Sequence, residues 1–285
     1  LLEGARSTYD LNRDFEKNLA QHRTKLWKTT PRTELLEQVR KIAGIRKLTE
    51  LPEPKVEELD VLQRDGYQIK KMILKPEEGI YLTALLFIPK LASRQSAVGS
   101  DKEGTLLYVH ENGKDADAAP GGPIEKLVKA GQLVLAVDLR GTGETQKTDQ
   151  KYFKPYFGPD GQDVYIAYLL GRSYVGMRAE DVLMCARFLQ QQNDGRVDLI
   201  AVGHVTVPAL HAAALESDMF RSIKLKRGLV CWSNVIELGL SNNQLVNTVH
   251  GALTVYDLPD LAAILGDSLS IEEPLNALGE REPKR

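Results

Sequence analysis

Apolar positions recur at helical spacing through the first fifty residues, and the period changes further along the chain. Leu11, Phe15, Leu19, Leu26 and Trp27 stand among charged residues across positions 10–29, which predicts a surface helix. Thr30 then offers an N-cap, Pro31 suits a first helical position, and Leu35, Leu36, Val39 and Ile42 form one apolar stripe closed by Gly44. Residues 1–54 therefore read as a helical N-terminal arm whose last residues, Leu51-Pro52-Glu53-Pro54, favour an extended linker. A β-rich pattern opens the remainder, 55–285. Runs at 68–74 and 80–88, separated by Lys75-Pro76-Glu77-Glu78-Gly79, predict an antiparallel hairpin. Beyond a polar loop at 92–104, apolar runs at 105–109, 133–137, 197–202, 225–231 and 268–271 read as strands. Helical patterns at 123–130, 174–191 and 208–215 lie between them. This alternation predicts one α/β domain with a doubly wound, mostly parallel sheet, because right-handed crossovers place helices above and below it.

Composition narrows the picture modestly. A chain of 285 residues with 42% hydrophobic content can bury a full core. Its 37 basic and 39 acidic residues nearly balance, so no charge footprint for nucleic acid or anionic lipid arises and neither partner is expected. No stretch approaches the apolar length of a membrane span, and Leu1-Leu2-Glu3-Gly4 lacks the charged-then-apolar order of a signal peptide, so the chain reads as soluble. A start without Met predicts a processed or trimmed chain, or a piece of a longer polypeptide. Cys185 and Cys231 fall in separate apolar elements, where small buried hydrophobes are expected rather than a disulfide. The five histidines show no metal-ligand spacing and the glycines form no phosphate-cradling loop, so neither metal nor cofactor is expected.

Four segments carry a resemblance. Tyr108-Val-His-Glu-Asn-Gly-Lys114, the run from Gly121 to Gly131, Val137-Asp-Leu-Arg-Gly-Thr-Gly-Glu144 and Asp257-Leu-Pro-Asp-Leu-Ala-Ala263 resemble the acetyl-xylan-esterase-like hydrolases of bacterial, especially planctomycete-type, proteins. The likeness runs from about residue 55 to 275, and the arm is similar as well. It implies an α/β-hydrolase fold, carboxylic-ester hydrolysis where the site is intact, and a periplasmic or secreted location. That group includes tandem proteins in which one hydrolase-like half has lost its active site. The resemblance thus implies an esterase domain as partner, in the same polypeptide or assembly, and a carbohydrate as ligand.

The site residues depart from the pattern of an active member. A hydrolase elbow, G-x-S-x-G, joins a strand to a helix so tightly that only small flanking residues let the serine oxygen protrude. Here the matching segment is Gly203-His204-Val205-Thr206-Val207, with Val205 at the nucleophile position and Val207 in place of the second glycine. An isopropyl group cannot attack a carbonyl. Thr206 is the nearest hydroxyl, and its structural alternative is to cap the following helix. His204 is a candidate base or a histidine bonded to nearby backbone, and His211 is expected to pack within its helix. The oxyanion-type loop reads His110-Glu111-Asn112-Gly113, where Glu111 would set a negative charge near a developing oxyanion unless it turns to solvent. His110 is a further candidate base, with loop fixing as its alternative. An Arg140–Asp138 brace is expected in the glycine turn after residue 137. Asn276 stands where relatives carry the triad acid, and no histidine follows His250, so the end of the fold is expected to be truncated. His250 is expected near a pocket, and Ser233 in a turn. The chain reads as a degenerate-site hydrolase domain, the alternative being an esterase with an unusual nucleophile or a site completed by another domain.

Overall fold

The computed structural model describes residues 4–90, 104–147, 157–158, 160–193 and 195–282. The expected polar loop, Gly104 excepted, lies outside them, as do Leu1, Leu2 and Glu3.

Two helices form the arm. α1 (Thr8–Thr29) opens on a capping box in which the Ser7 hydroxyl accepts from the Asp10 N–H and the Asp10 carboxylate accepts from the Ser7 N–H. α2 (Arg32–Ala43) ends at Gly44, whose φ of 67° is the left-handed conformation that closes helices. Its cap differs from expectation by one residue: Thr30 is the C-cap of α1 and Pro31 the N-cap of α2. The arm is fastened to the helical face of the domain. Leu35, Val39 and Ala43 are buried, each large aliphatic contributing about 1.5–3 kcal/mol. Trp27 Nε1 donates to the Val255 carbonyl at 2.8 Å, and the buried Arg23–Glu16 pair (2.6 Å) lets Arg23 donate to the Leu253 carbonyl.

Eight strands make one sheet: β1 (Lys55–Arg64), β2 (Tyr67–Lys75), β3 (Leu82–Pro89), β4 (Thr105–His110), β5 (Leu133–Val137), β6 (Val197–Val202), β7 (Phe220–Lys226) and β8 (Leu269–Glu272). They run in the order β1-β2-β3-β5-β4-β6-β7-β8. β1 to β3 and β5 pair antiparallel, and β5-β4-β6-β7-β8 pair parallel. The expected hairpin and doubly wound sheet are therefore present. Alternation along β4 divides the core: Leu106 and Tyr108 join one cluster with Ile124 and Val128 of α3 (Pro123–Lys129), whereas Leu107 and Val109 join the other. That second face carries α5 (Tyr174–Gln192), α6 (Thr206–Leu215), α8 (Leu258–Leu265) and the arm. α4 (Gly161–Leu169) and α7 (Trp232–Leu238) complete the set among the described residues. No described helix is long and apolar enough to cross a membrane.

Two strands depart from the sequence reading. β1 went unpredicted because a bulge between Glu58 and Asp60 shifts its phase, and as a charged, exposed edge it shows no buried alternation. The strand expected at 225–231 lies instead at Phe220–Lys226, since Arg227 adopts a φ of 54° and ends it. Residues 228–231 form a loop leading into α7, with Leu229 joined to Leu275 by an isolated bridge.

Candidate functional site

Strand register assembles the site. His110 of β4 pairs with Val202 of β6, and Val202 with Lys226 of β7, so three parallel strands end level with one another. The loops that follow begin at Glu111, Gly203 and Arg227, side by side at the C-terminal sheet edge, where such folds gather their ligands.

Gly203 turns β6 into α6 through a single tight turn, Gly203–Val205. Its φ is 80°, and a Cβ built on it would overlap the carboxyl carbon and oxygens of Glu111. Only glycine therefore fits, and the Glu111 carboxylate fills the space above the turn. Glu111 Oε2 accepts from the His204 N–H at 3.1 Å and lies 3.3 Å from His204 Nδ1, while Oε1 is 3.9 Å from Arg227. Burial opposes ionisation of Glu111, but the two His204 hydrogen bonds prevail and hold its carboxyl below the usual range. Burial lowers the His204 pKa against the pull of Glu111, which keeps the ring neutral near pH 7. An ionised carboxylate only accepts, so this network assigns the ring proton to Nδ1 and leaves a lone pair on Nε2. That Nε2 is buried and no protein group answers it.

The neighbouring loop spends its donors internally. Glu111 N–H bonds to the Val202 carbonyl (3.0 Å), Asn112 N–H to His110 Nδ1 (3.0 Å), Gly113 N–H to the His110 carbonyl (2.9 Å) and Lys114 N–H to Asp138 Oδ1 (2.6 Å). His110 is thus a buried loop anchor, its pKa lowered by burial, and its Nε2 stands 4.0 Å from Asp117.

The remaining elbow residues face elsewhere. Val205 is 0% exposed in the main core, and α6 starts at Thr206 with Val205 as its N-cap and no side-chain cap bond. Thr206 is consequently a first helical residue rather than a cap. With Val207, Leu210, Leu225 and Ile271 it lines an apolar cavity of about 620 Å³ beside β7 and β8. His211 is fully buried, with Nδ1 2.7 Å from the Val207 carbonyl and Nε2 2.9 Å from the Tyr256 hydroxyl; burial pushes its pKa down to about 4.

The expected Arg140–Asp138 brace is replaced by two separate pairs. Arg140 forks onto Asp181 of α5 (2.6 and 2.8 Å), whereas Asp138 is buried against Lys114 Nζ (2.8 Å), Thr83 Oγ1 (2.8 Å) and the Glu144 N–H (3.0 Å). β5 ends at Val137, so neither residue is in the strand: the Asp138 N–H still bonds the Thr83 carbonyl (2.9 Å) at the sheet edge, and the turn from Leu139 to Thr142 carries Arg140 to the covering helix. Asn276 is half-buried and fixes its own turn, its Oδ1 accepting from Leu278 and Glu280 N–H groups. The Ser233 hydroxyl lies within hydrogen-bond reach of both the Asp257 (2.7 Å) and Glu16 (2.6 Å) carboxylates and has one proton to give, so it ties the arm to the helical face. His250 packs on Tyr168 in a tilted arrangement, ring centroids 4.9 Å apart and planes at 59°, and lines a separate cavity of about 360 Å³. Cys185 is a buried free thiol, and Cys231 is half-buried.

A polar cavity of about 380 Å³ opens over the strand ends, lined by Glu111, Asn112, His204, Arg227, Asn242, Asn243, Gln244 and Asn247 among others. Asn247 is 3% exposed, its Nδ2 donates to Gln244 Oε1 at 2.9 Å, and its Oδ1 is unanswered. His204 Nε2 and Asn247 Oδ1 are the two such buried side-chain atoms among the described residues. Sequence reasoning missed Arg227 and the 242–247 amides. The only available signal was the clustering of Asn and Gln between the apolar runs.

No protein-family model matches the sequence, and no curated protein matches it. Solved structures do match. A Bacteroides fragilis protein described as a candidate acetyl xylan esterase is 16% identical, with a TM-score of 0.70 over 96% of this chain and 77% of its own. Acetyl xylan esterase 1 of a Thermoanaerobacterium species is 16% identical, with a TM-score of 0.52 over 89% of each chain. A methylesterase is also 16% identical, with a TM-score of 0.52 over 93% of this chain and 56% of its own. The chain therefore has the α/β-hydrolase fold, in the version shared by solved acetyl xylan esterases.

Proposed function

We propose that this chain is a hydrolase-fold domain without acyl-enzyme chemistry, a non-catalytic domain that contacts carbohydrate beside an esterase domain in the same polypeptide or assembly. It would be a degenerate-site member of the bacterial, planctomycete-type group that its sequence resembles. One observation carries the reading: the Glu111 carboxylate packs against Gly203 in the elbow turn, two residues before the nucleophile position, which holds no oxygen. A fixed negative charge there opposes an oxyanion. Two further features support it. The backbone donors of residues 111–114 are already bonded to protein acceptors, and the Val205 side chain is enclosed in the core. The carbohydrate part of the reading draws on the names of the structural neighbours and on the polar lining of the cavity. The purified chain is expected to release no more product from p-nitrophenyl acetate or acetylated xylan than a heat-inactivated sample. Robust turnover that disappears in Thr206→Ala, with a fluorophosphonate adduct on the protein, would overturn the reading.

A specific observation favours a second reading. Glu111 on Nδ1 with a free Nε2 is the arrangement of a general base, so His204 could draw a proton from water as that water attacks a small acyl ester. Such an esterase would turn over without a fluorophosphonate adduct and lose activity in His204→Asn. A site completed by another domain or subunit would become active only when that partner is added back.

A further inference from the structure

We infer that the outward face of α4 is an interface between two copies of this chain, the two α4 helices packing antiparallel across a twofold axis. This goes beyond the reading of the strand-end site and holds whether or not that site turns over esters.

α4 reads Gly-Gln-Asp-Val-Tyr-Ile-Ala-Tyr-Leu, is followed by Leu170, and is apolar on both sides. A helix of that pattern is ordinarily covered all round. The chain itself covers one side: Gly161, Val164 and Ala167 are buried, the last two against Tyr174 and Val246. On the other side Tyr165 (42%), Ile166 (44%), Tyr168 (51%), Leu169 (81%) and Leu170 (71%) are exposed. At about 200 Å² for a fully exposed large side chain, these five present roughly 600 Å², the size of the largest patch on a typical monomer and approaching the about 800 Å² per partner of a standard interface.

The occupant follows from the self-complementarity of the stripe. Contacts across a twofold are reciprocal, and an axis passing between residues 167 and 168 sets Ile166 against Leu169 of the second copy and Tyr165 against Leu170 of the second copy. Charge fits the same orientation. Asp163 lies in the first turn and Arg172 just past the end, paired within the chain to Lys147 and Glu180 respectively. A reversed copy brings Asp163 of one chain beside Arg172 of the other at both ends, adding to those pairs and burying no lone charge, whereas a parallel copy sets like beside like. Antiparallel packing also opposes the two helix dipoles. A bilayer fits less well, because helices that lie in the lipid interface carry Lys and Arg on their polar face, and α4 has no basic residue.

The test is sedimentation velocity of the whole chain up to about 500 µM, where a monomer–dimer equilibrium with Kd on the order of 10 µM is expected. Ile166→Glu and Leu169→Glu should each weaken it at least about tenfold, because the twofold counts every substitution twice and each puts a carboxylate into an apolar contact. Leu59→Glu, on the exposed β1 edge, should dimerise like the parent. Register is read separately by cross-linking, which does not depend on the stability of the Glu variants. Ile166→Cys and Leu169→Cys, mixed and oxidised with copper phenanthroline, should form more disulfide-linked dimer together than either does alone, with the parent as control for Cys185 and Cys231. A chain that stays monomeric at the highest concentration, whether or not it binds phosphatidylcholine vesicles, would overturn the inference. So would a dimer that survives both Glu substitutions, or cross-linking no greater in the mixture than in the single variants.

Discussion

His204 and His211 stand seven residues apart, one in the turn that starts α6 and the other inside that helix, yet they live in opposite surroundings. Burial lowers the pKa of each, so charge does not distinguish them. Hydrogen bonding does. Both ring nitrogens of His211 find protein partners, the Val207 carbonyl and the Tyr256 hydroxyl, and the ring packs near Trp232 at 5.8 Å. His204 is satisfied on one side only, by Glu111, and its Nε2 is buried without a protein partner, although the residue lines the polar cavity. A histidine with both ring nitrogens bonded is fixed by the core; one left half-satisfied at a strand end carries an uncompensated polar atom. The contrast comes from position: the turn at Gly203 exposes residue 204 at the sheet edge, and the helix then carries residue 211 into the core.

The comparison can be broken most forcefully at its hinge. Gly203→Ala would force a left-handed alanine and drive its methyl into the Glu111 carboxylate, so a stability loss of about 3 kcal/mol is expected in urea unfolding. Adding Glu111→Ala should return the steric part of that loss, and a double-mutant cycle with no coupling would show that Glu111 is not what crowds the turn. The core histidine gives the next effect. With a folded pKa of about 4 against about 6.5 unfolded, His211 contributes stability that is complete above pH 6.5 and lost as pH falls toward 4. Between pH 7 and pH 5 this amounts to about 2 kcal/mol. His204 and His110 add slopes of the same sign. His211→Phe should therefore flatten the stability profile by about that amount, whereas an unchanged profile would contradict the buried, neutral assignment. The smallest effect is expected at Thr206, on the apolar side of the same turn. Thr206→Val should change stability by less than about 0.5 kcal/mol, because no side-chain cap depends on that hydroxyl; a loss of a full kilocalorie would mean that it holds a partner.

Legibility in the sequence followed physical simplicity. The central strands β4, β5 and β6 were readable because both-face burial leaves largely apolar runs bounded by turn residues, and the hairpin because its two runs flank a turn containing Pro76 and Gly79. β1 escaped because an edge strand has no core face to advertise, and its bulge broke what alternation it had. β7 was misplaced because its apolar residues, Phe220, Ile223 and Leu225, are interleaved with Arg221, Lys224 and Lys226, whereas the loop after it is more apolar. At the site, Gly203, His204 and Glu111 were all singled out from the sequence. Their relation was not, because they lie ninety residues apart and meet only through the β4–β6 register.

Residue identity alone established that no serine stands in the segment 203–207 and that period-two and period-3.6 patterns alternate, which is enough to dictate a doubly wound sheet. Tertiary structure decided which atoms face which. It turned Glu111 inward over Gly203 instead of out to solvent, sent Val205 into the core, paired Arg140 with Asp181, and brought Arg227 and Asn247 to His204. The reason is geometric: side-chain type is local information, but a site is made of groups that share a volume, and strand register sets which distant residues share it.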